Sequence, residues 1–215
     1  MSENIYLSWL GEKLAERCVE NLIKNGFDAR FVQTLDEASK VVLGMISGYT
    51  TFGLAGSATT RTLGLKEKLE ADGKTVYDHW KDGLSLEEDM TIRLSQGRSE
   101  CFLSSANAIS ATGELVNVDG IGNRTAAMTF GPNKVVIVAG MNKVTMDLES
   151  ALRRVREVAA PMRARSLGLE TPCALTGMCD DCNSPQRICR VTTILHRRPL
   201  KTDISVILVN ENLGF

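Results

Sequence analysis

Between residues 51 and 140, short apolar runs alternate with stretches patterned for helices. TFGLAG (51–56), TVYDHW (75–80), ECFLSSAN (100–107) and KVVIVAG (134–140) read as strands, and 57–71, 86–94 and 121–130 as the helices joining them. Strands buried on both faces appear as near-continuous apolar runs, and parallel neighbours need crossover connections. This alternation predicts an α/β fold, a mainly parallel sheet covered by helices on both faces. AISATGELVNVDG (108–120) interrupts the rhythm as a hairpin-like excursion turning at Thr112-Gly113.

The flanks complete the outline. Residues 3–25 carry Leu7, Leu10, Leu14, Cys18, Leu22 and Ile23 at helical spacing, and Gly26 is a stop signal. FDARFV (27–32) is a short extended piece, and Leu35–Ile46 a second helix with Asp36 near its start. Residues 147–159 form a long amphipathic helix closed by Pro161; VTTILH (191–196) and ISVILVNE (204–211) are further strands. The expected organisation is an N-terminal helical segment, 1–50, packed on an α/β domain, 51–215, that includes a cysteine-rich loop at 171–190. A chain of 215 residues is long enough for one sizeable core.

That loop, PCALTGMCDDCNSPQRIC, holds Cys173, Cys179, Cys182 and Cys189. A Cys-x2-Cys pair brings two thiolates to one centre, and two outer cysteines can complete a four-sulfur site. The start MSENIYLSWLGEKLAE has no basic region followed by an apolar run. The expectation is a cytoplasmic chain with reduced thiols, so structural disulfides are disfavoured. Both zinc and iron–sulfur clusters accept four thiolates. Zinc ribbons use two Cys-x2-Cys pairs and only one is present, so a [4Fe–4S] cluster is favoured over zinc. Cys18 and Cys101 sit in apolar contexts and read as core residues.

Candidate ligand-binding residues fall beyond the strand ends, where parallel sheets bind ligands. Gly56, Ser57, Thr59 and Thr60 follow a strand and open a helix: small residues permit close approach, and amides and hydroxyls suit a phosphate or carboxylate. The same residues would equally make a capped helix with a tight turn. Asn107, Asn117, Asp119, Asn123 and Arg124 are dense polar groups beside apolar segments. They either satisfy one another or orient a substrate, with Arg124 pairing a carboxylate. Lys143 follows the strongest strand and reads as an anion-binding or acid group, or as an exposed loop lysine. His79, between Asp78 and Trp80, reads as a base held by an acid or as a structural strand-end histidine. Arg153, Arg154, Arg156, Arg163 and Arg165 read first as a solvated helix face, and second as a docking surface for an anion.

A net charge of −1 gives no general attraction to nucleic acid, and no apolar run is long enough for a membrane span.

Taken together, GSATTRTLGL, VYDHW, FLSSANAISATGELVNVDGIGNRTAAMTFGPNKVVIVAGMNKV, LESALRRVREVAAP, TPCALTGMCDDCNSPQRIC and LVNENLGF resemble the lactate-utilisation (LUD) domain family. The resemblance implies a fold similar to the ribose-phosphate isomerase and CoA-transferase group. It also implies a part in oxidising lactate, or a similar 2-hydroxy acid, to the 2-oxo acid, as an oxidoreductase subunit with iron–sulfur partner proteins or alone. A small anionic substrate is expected, and a homo-oligomer is compatible with all of this. SANAISATGELVNVDG is also similar to a segment of sugar-phosphate isomerases in which an aspartate is catalytic. Asn107 stands in that place, and an amide is no general acid or base. Two alternatives stay open: a non-redox assembly or binding subunit with structural zinc, and an isomerase or transferase for a phosphorylated or CoA-linked ligand.

Overall fold

The computed structural model describes residues 5–215. The first two residues of the helix expected over 3–25, and the start of the 1–50 segment, lie outside the described residues. The strands in chain order are β1 (Asp28–Val32), β2 (Thr51–Leu54), β3 (Thr75–Asp78), β4 (Cys101–Ser104), β5 (Ala108–Ser110), β6 (Leu115–Asp119), β7 (Lys134–Gly140), β8 (Val144–Thr145), β9 (Val191–Leu195) and β10 (Asp203–Val209). The helices are α1 (Ile5–Lys24), α2 (Leu35–Ile46), α3 (Ala58–Thr62), α4 (Leu65–Ala71), α5 (Leu86–Arg98), α6 (Asn123–Thr129), α7 (Leu148–Arg154), α8 (Ala160–Ser166) and α9 (Pro172–Thr176).

Six strands form one sheet in the order β1-β10-β7-β4-β2-β3, every pair parallel. The expected α/β class with a parallel sheet flanked by helices is what the chain adopts. β7 and β4 lie at its centre, and β7 is buried along its whole length. Apolar side chains make one core on each face: Phe102, Val135, Ile137 and Val206 on one, Phe52, Leu103, Val136 and Ile207 on the other. Cys18 and Cys101 belong to these cores; burial pushes both thiols up to about 12. Within the expected N-terminal segment, β1 is a strand of this same sheet, paired with β10.

A second sheet, not expected from the sequence, has the order β8-β5-β6-β9. β5 and β6 are the predicted hairpin, antiparallel across the Thr112-Gly113 turn. β9 adds to β6 from some seventy residues downstream, with Asp119 opposite Val191. Ala108 and Val116 on this sheet pack against Ala151 and Val155 of the α7 region.

Local chemistry explains the other departures. The helix expected over 57–71 breaks into α3 and α4, because Gly64 adopts a left-handed conformation (φ 58°) at the start of α4. α5 outlasts its expected end at residue 94: a capping box of Ser85 and Glu88 fixes its start, and buried Gln96 anchors its last turn. Pro161 does not end the helix begun at Leu148. A π turn at Val155–Ala159 joins α7 to α8, and Pro161 sits in the first turn of α8. A widened turn changes the backbone bonding that a proline would otherwise disrupt. In α1, Ala15, Cys18 and Leu22 are buried, but Leu7, Leu10 and Ile23 of the expected apolar face are exposed.

The hairpin turn is fastened to α1. Asn21 donates to Ala111 O (2.7 Å), and Asn25 donates to the carbonyls of Thr112 and Gly113. Gly113 has φ 95°, and a methyl group there would lie 2.8 Å from the Asn21 backbone carbonyl. Gly113→Ala is expected to destabilise the protein by about 2 kcal/mol or more, from backbone strain and lost docking, as read by denaturant unfolding. An unchanged midpoint would show that the turn is not pinned to α1.

Candidate functional site

The strands of the large sheet all point one way, so the segments after β2, β3, β4 and β7 converge at one edge. They bring Gly56 and Ser57, His79 and Trp80, Ser105 and Asn107, and Lys143 around a cavity of about 400 Å³. Asp119, Asn123 and Arg124 form another wall, and Arg93, Arg163, Ile188 and Phe215 complete it. Of the expected anion-loop residues, Gly56, Ser57 and Thr59 line the cavity. Thr60 does not: its amide reaches the Ser57 hydroxyl and its own hydroxyl donates to Ser57 O, so it belongs to the cap of α3. Gly56 must lack a side chain, since a methyl group there would come within 2.8 Å of Trp80 Nε1 and 3.0 Å of His79 Nε2.

The polar cluster on 107–124 is mostly self-satisfied. Arg124 Nε donates to Asp119 Oδ1 (2.9 Å); Nη1 donates to Ser105 O (3.1 Å) and Asn117 Oδ1 (2.8 Å); Nη2 donates to Asn107 Oδ1 (2.8 Å) and Val118 O (2.9 Å). A guanidinium has five N–H groups, and all five are used within the protein. Of the two readings of this cluster, the hydrogen bonds fit mutual satisfaction: Arg124 is a structural hub with no donor to spare. Asn117 is buried outside the cavity lining and serves Arg124. Asn107 accepts from both Arg124 and the Val118 amide. The other Asp119 oxygen accepts from the Thr125 amide (2.9 Å) at the start of α6.

His79 is not held by Asp78. The Asp78 carboxylate takes Arg61 (2.5 Å) and the Trp80 amide (3.0 Å), with Lys66 at 3.5 Å. Burial works to raise this carboxyl, but the Trp80 amide and Arg61 outweigh it and hold it below the usual carboxylate value. The partner of His79 is Gln96, whose Nε2 lies 2.8 Å from His79 Nδ1 and also faces Leu54 O (2.7 Å) and Tyr77 O (3.2 Å). The amide nitrogen faces two carbonyls and cannot itself accept, so its two hydrogens are shared among the three neighbours, Nδ1 is an acceptor and the proton of the neutral ring is on Nε2. Burial, reinforced by Arg93, lowers the His79 pKa and favours this neutral tautomer. His79 is thus an N–H donor at the cavity wall.

Lys143 is no exposed loop lysine. It is 4% exposed and lines the cavity, with Nζ at 3.0 Å from Ser105 Oγ and 3.1 Å from Thr59 Oγ1. Burial, helped by the charges of Arg154 and Arg124, pushes its pKa down to about 7. Among the described residues no carboxylate pairs with Lys143 or with Arg163. Arg93, by contrast, is neutralised by a bidentate contact to Asp89. The cavity therefore carries two uncompensated cationic side chains, which suits an anion.

The five arginines expected first as a solvated face divide by role. Arg153, Arg156 and Arg165 are exposed. Arg154 is partly buried and donates to the carbonyls of Asn142 (2.9 Å) and Asn107 (2.6 Å). Arg163 enters the cavity, its guanidinium 5.1 Å from the centre of the Trp80 ring, which Arg61 covers at 4.5 Å. The sequence reading passed over Arg93 and Trp80 as cavity residues. Trp80 stands just after β3 on the ligand-binding edge, whereas Arg93 lies mid-helix in α5, where no local signal marks it.

Cys173, Cys179, Cys182 and Cys189 line a second cavity of about 380 Å³, floored by Val118, Leu152, Val155 and Ala160. Gly177 ends α9 in a left-handed conformation, and Asp181 (φ 54°) turns the chain between Cys179 and Cys182. Arg187 ties the loop from inside, donating to Cys182 O (2.6 Å), Cys189 O (2.9 Å) and Asp181 Oδ1 (2.7 Å). Burial raises the Cys189 thiol, and the three other thiols add to that against the opposing effect of Arg187. Among the described residues no three Cys, His, Asp or Glu side chains stand in a closed ligand group. The donor set nevertheless fits a thiophilic centre: four soft ligands around one apolar-floored space, in a loop already closed by an arginine.

The two cavities are neighbours. Val118 lines both, Ile188 lines the first and Cys189 the second, and the Arg190 amide donates to Asp119 O (2.9 Å).

Fold and site thus define an α/β protein with a cavity lined by cationic and polar side chains at the sheet edge and a thiol loop against it. The LUD domain model matches residues 15–209, and the chain belongs to the LUD domain family, which is associated with lactate utilisation. Among solved structures the chain is similar to a DUF162 family protein from Deinococcus radiodurans, at 13% identity and TM-score 0.53, covering 93% of this chain and 98% of that one. That likeness concerns the fold. No curated protein matches the chain at a significant level. Among the described residues no helix is long and apolar enough to cross a membrane.

The Lys143 environment has a measurable consequence. The unfolded chain keeps the proton up to the ordinary lysine value of 10.5, whereas the folded protein releases it near 7. Stability should therefore rise with pH between those values, and the buried charge costs most below pH 7. Lys143→Met is expected to stabilise the protein by roughly 1–2 kcal/mol at pH 6, with the gain shrinking toward pH 9, in denaturant unfolding at both pH values. An equal effect at the two pH values would contradict a depressed lysine.

Proposed function

We propose that this LUD-domain protein holds a [4Fe–4S] cluster on Cys173, Cys179, Cys182 and Cys189 and binds a small 2-hydroxy or 2-oxo acid, such as lactate or pyruvate, in the adjoining cavity. The observation that carries this reading is the shared wall: consecutive residues, Ile188 and Cys189, face the ligand cavity and the thiol cavity respectively. A redox centre and a substrate held against the same short segment suit oxidation of the acid, with electrons passing to iron–sulfur partner proteins. A bound cluster would supply one-electron transfer.

The residues of the chain divide the remaining work. Arg163 is the free guanidinium for the substrate carboxylate. Neutral Lys143 can take the proton of the 2-hydroxyl, and the Nε2–H of His79 can donate to a ligand oxygen. Asn107 has no acid–base chemistry and is spent on Arg124, so sugar-phosphate isomerisation finds no support here.

Two measurements test the reading. Protein purified without oxygen is expected to contain about four irons and four acid-labile sulfides per chain. About one zinc and no iron would instead make the loop a structural scaffold. Arg163→Met is expected to weaken pyruvate and lactate binding roughly 10- to 100-fold by calorimetry, the loss of one charge-assisted contact. Unchanged affinity would remove Arg163 from the site.

A further inference from the structure

Arg163 and Lys143 are the two unpaired cationic side chains of the ligand cavity, yet they are built differently. Arg163 is half-buried, lies against Trp80 and stays charged at any working pH. Lys143 is enclosed, with Thr59, Ser105 and Gly214 around its amine; a methyl group on Gly214 would stand 3.4 Å from Nζ. The hydroxyls of Thr59 and Ser105 direct their own protons toward the carbonyls of Leu213 and Ala106, both at 3.4 Å. Their lone pairs therefore accept from Nζ. Two of the three substituent positions on the nitrogen are fixed in this way, and one remains for the cavity that Lys143 lines.

Among the described residues no carboxylate stands by the Lys143 amine to hold it protonated. Here the nearest charged groups, Arg154 and Arg124, are cationic and push the other way. When the amine is neutral, its lone pair occupies the remaining position. A desolvated lysine beside other cations is the arrangement that activates an amine as a nucleophile toward carbonyl compounds.

We infer that Lys143 forms a reversible imine with the C2 carbonyl of a 2-oxo acid bound in this cavity. The inference rests on the reading of this cavity as a site for small 2-oxo or 2-hydroxy acids, and it adds a covalent step specific to the 2-oxo form. The step is redox-neutral. The nitrogen attacks C2, a C–N bond forms, and the carbonyl oxygen becomes a hydroxyl by taking up an amine proton. That hydroxyl then leaves as water with the second amine proton, and the C=N bond closes. Lactate, which has no carbonyl, would occupy the cavity without reacting. The site would thus distinguish the two members of a 2-hydroxy/2-oxo pair by chemistry as well as by fit.

The test is reductive trapping. The full-length protein is incubated at pH 7 with pyruvate and sodium cyanoborohydride, and the adduct is mapped by peptide mass spectrometry. One adduct per chain is expected, on Lys143, forming roughly 10- to 100-fold faster than on exposed lysines. Added lactate should suppress it, and it should vanish in Lys143→Arg and Lys143→Met, with folding of both variants checked by circular dichroism. Labelling spread over exposed lysines, or equal in the variants, overturns the inference. Calorimetry on the same protein separates the two ideas. If pyruvate binds and no Lys143 adduct forms, the imine is wrong and the ligand assignment stands. If neither pyruvate nor lactate binds, the ligand assignment fails and the imine with it.

Discussion

Arg124 and its five hydrogen bonds hold the functional end of the molecule in shape. One guanidinium gathers the Ser105 carbonyl after β4, Asn107 before β5, Asn117 and Val118 within β6, and Asp119 at its end. It thereby fixes the second sheet against the edge of the first. Asp119 carries the constraint onward through the Thr125 amide to α6, and its carbonyl carries it through the Arg190 amide to the end of the cysteine loop. Buried polar networks of this kind specify geometry when every member is satisfied, and the loss of one member leaves the others unpaired at high cost. Because Arg124 is saturated, its charge acts on the cavity without binding in it. It helps to discharge Lys143 and leaves Arg163 as the guanidinium free for a ligand.

The thiol loop is organised by the same economy. Arg187 secures the carbonyls beside two of the four cysteines, while α9 and the turn at Asp181 present the other two. The loop packs on the π turn joining α7 to α8, and Arg163 of α8 reaches the ligand cavity. One helical region therefore borders both sites. Any change in the loop on taking up a metal centre would be felt at Ile188, on the far side of the same wall.

Much of this was legible in the sequence, and the limits have physical causes. The predicted β7, 134–140, and α2, Leu35–Ile46, coincide with the observed elements, because a fully apolar run and a Thr34-capped amphipathic helix carry their bounds locally. The convergence of 56–59, 79, 105–107 and 143 followed from parallel topology alone. The second sheet was not legible, since β8 has two residues and β9 finds β6 only through tertiary contact. The role of Arg124 stayed open between two readings for a related reason. Its acceptors are spread over residues 105–119, and no local pattern shows that all five donors would be used. Pro161 signalled a helix end, and the π turn overrode it. The LUD resemblance was matched by the family model over residues 15–209.

The central claim is that the cavity lined by Arg163 and Lys143 receives a small 2-oxo or 2-hydroxy acid. A crystal structure of the protein with pyruvate tests it most directly. The account predicts the carboxylate within hydrogen-bonding distance of Arg163, and C2 beside, or bonded to, Lys143 Nζ. Pyruvate bound elsewhere, or a carboxylate seated on Arg124 with its internal hydrogen bonds broken, would contradict it.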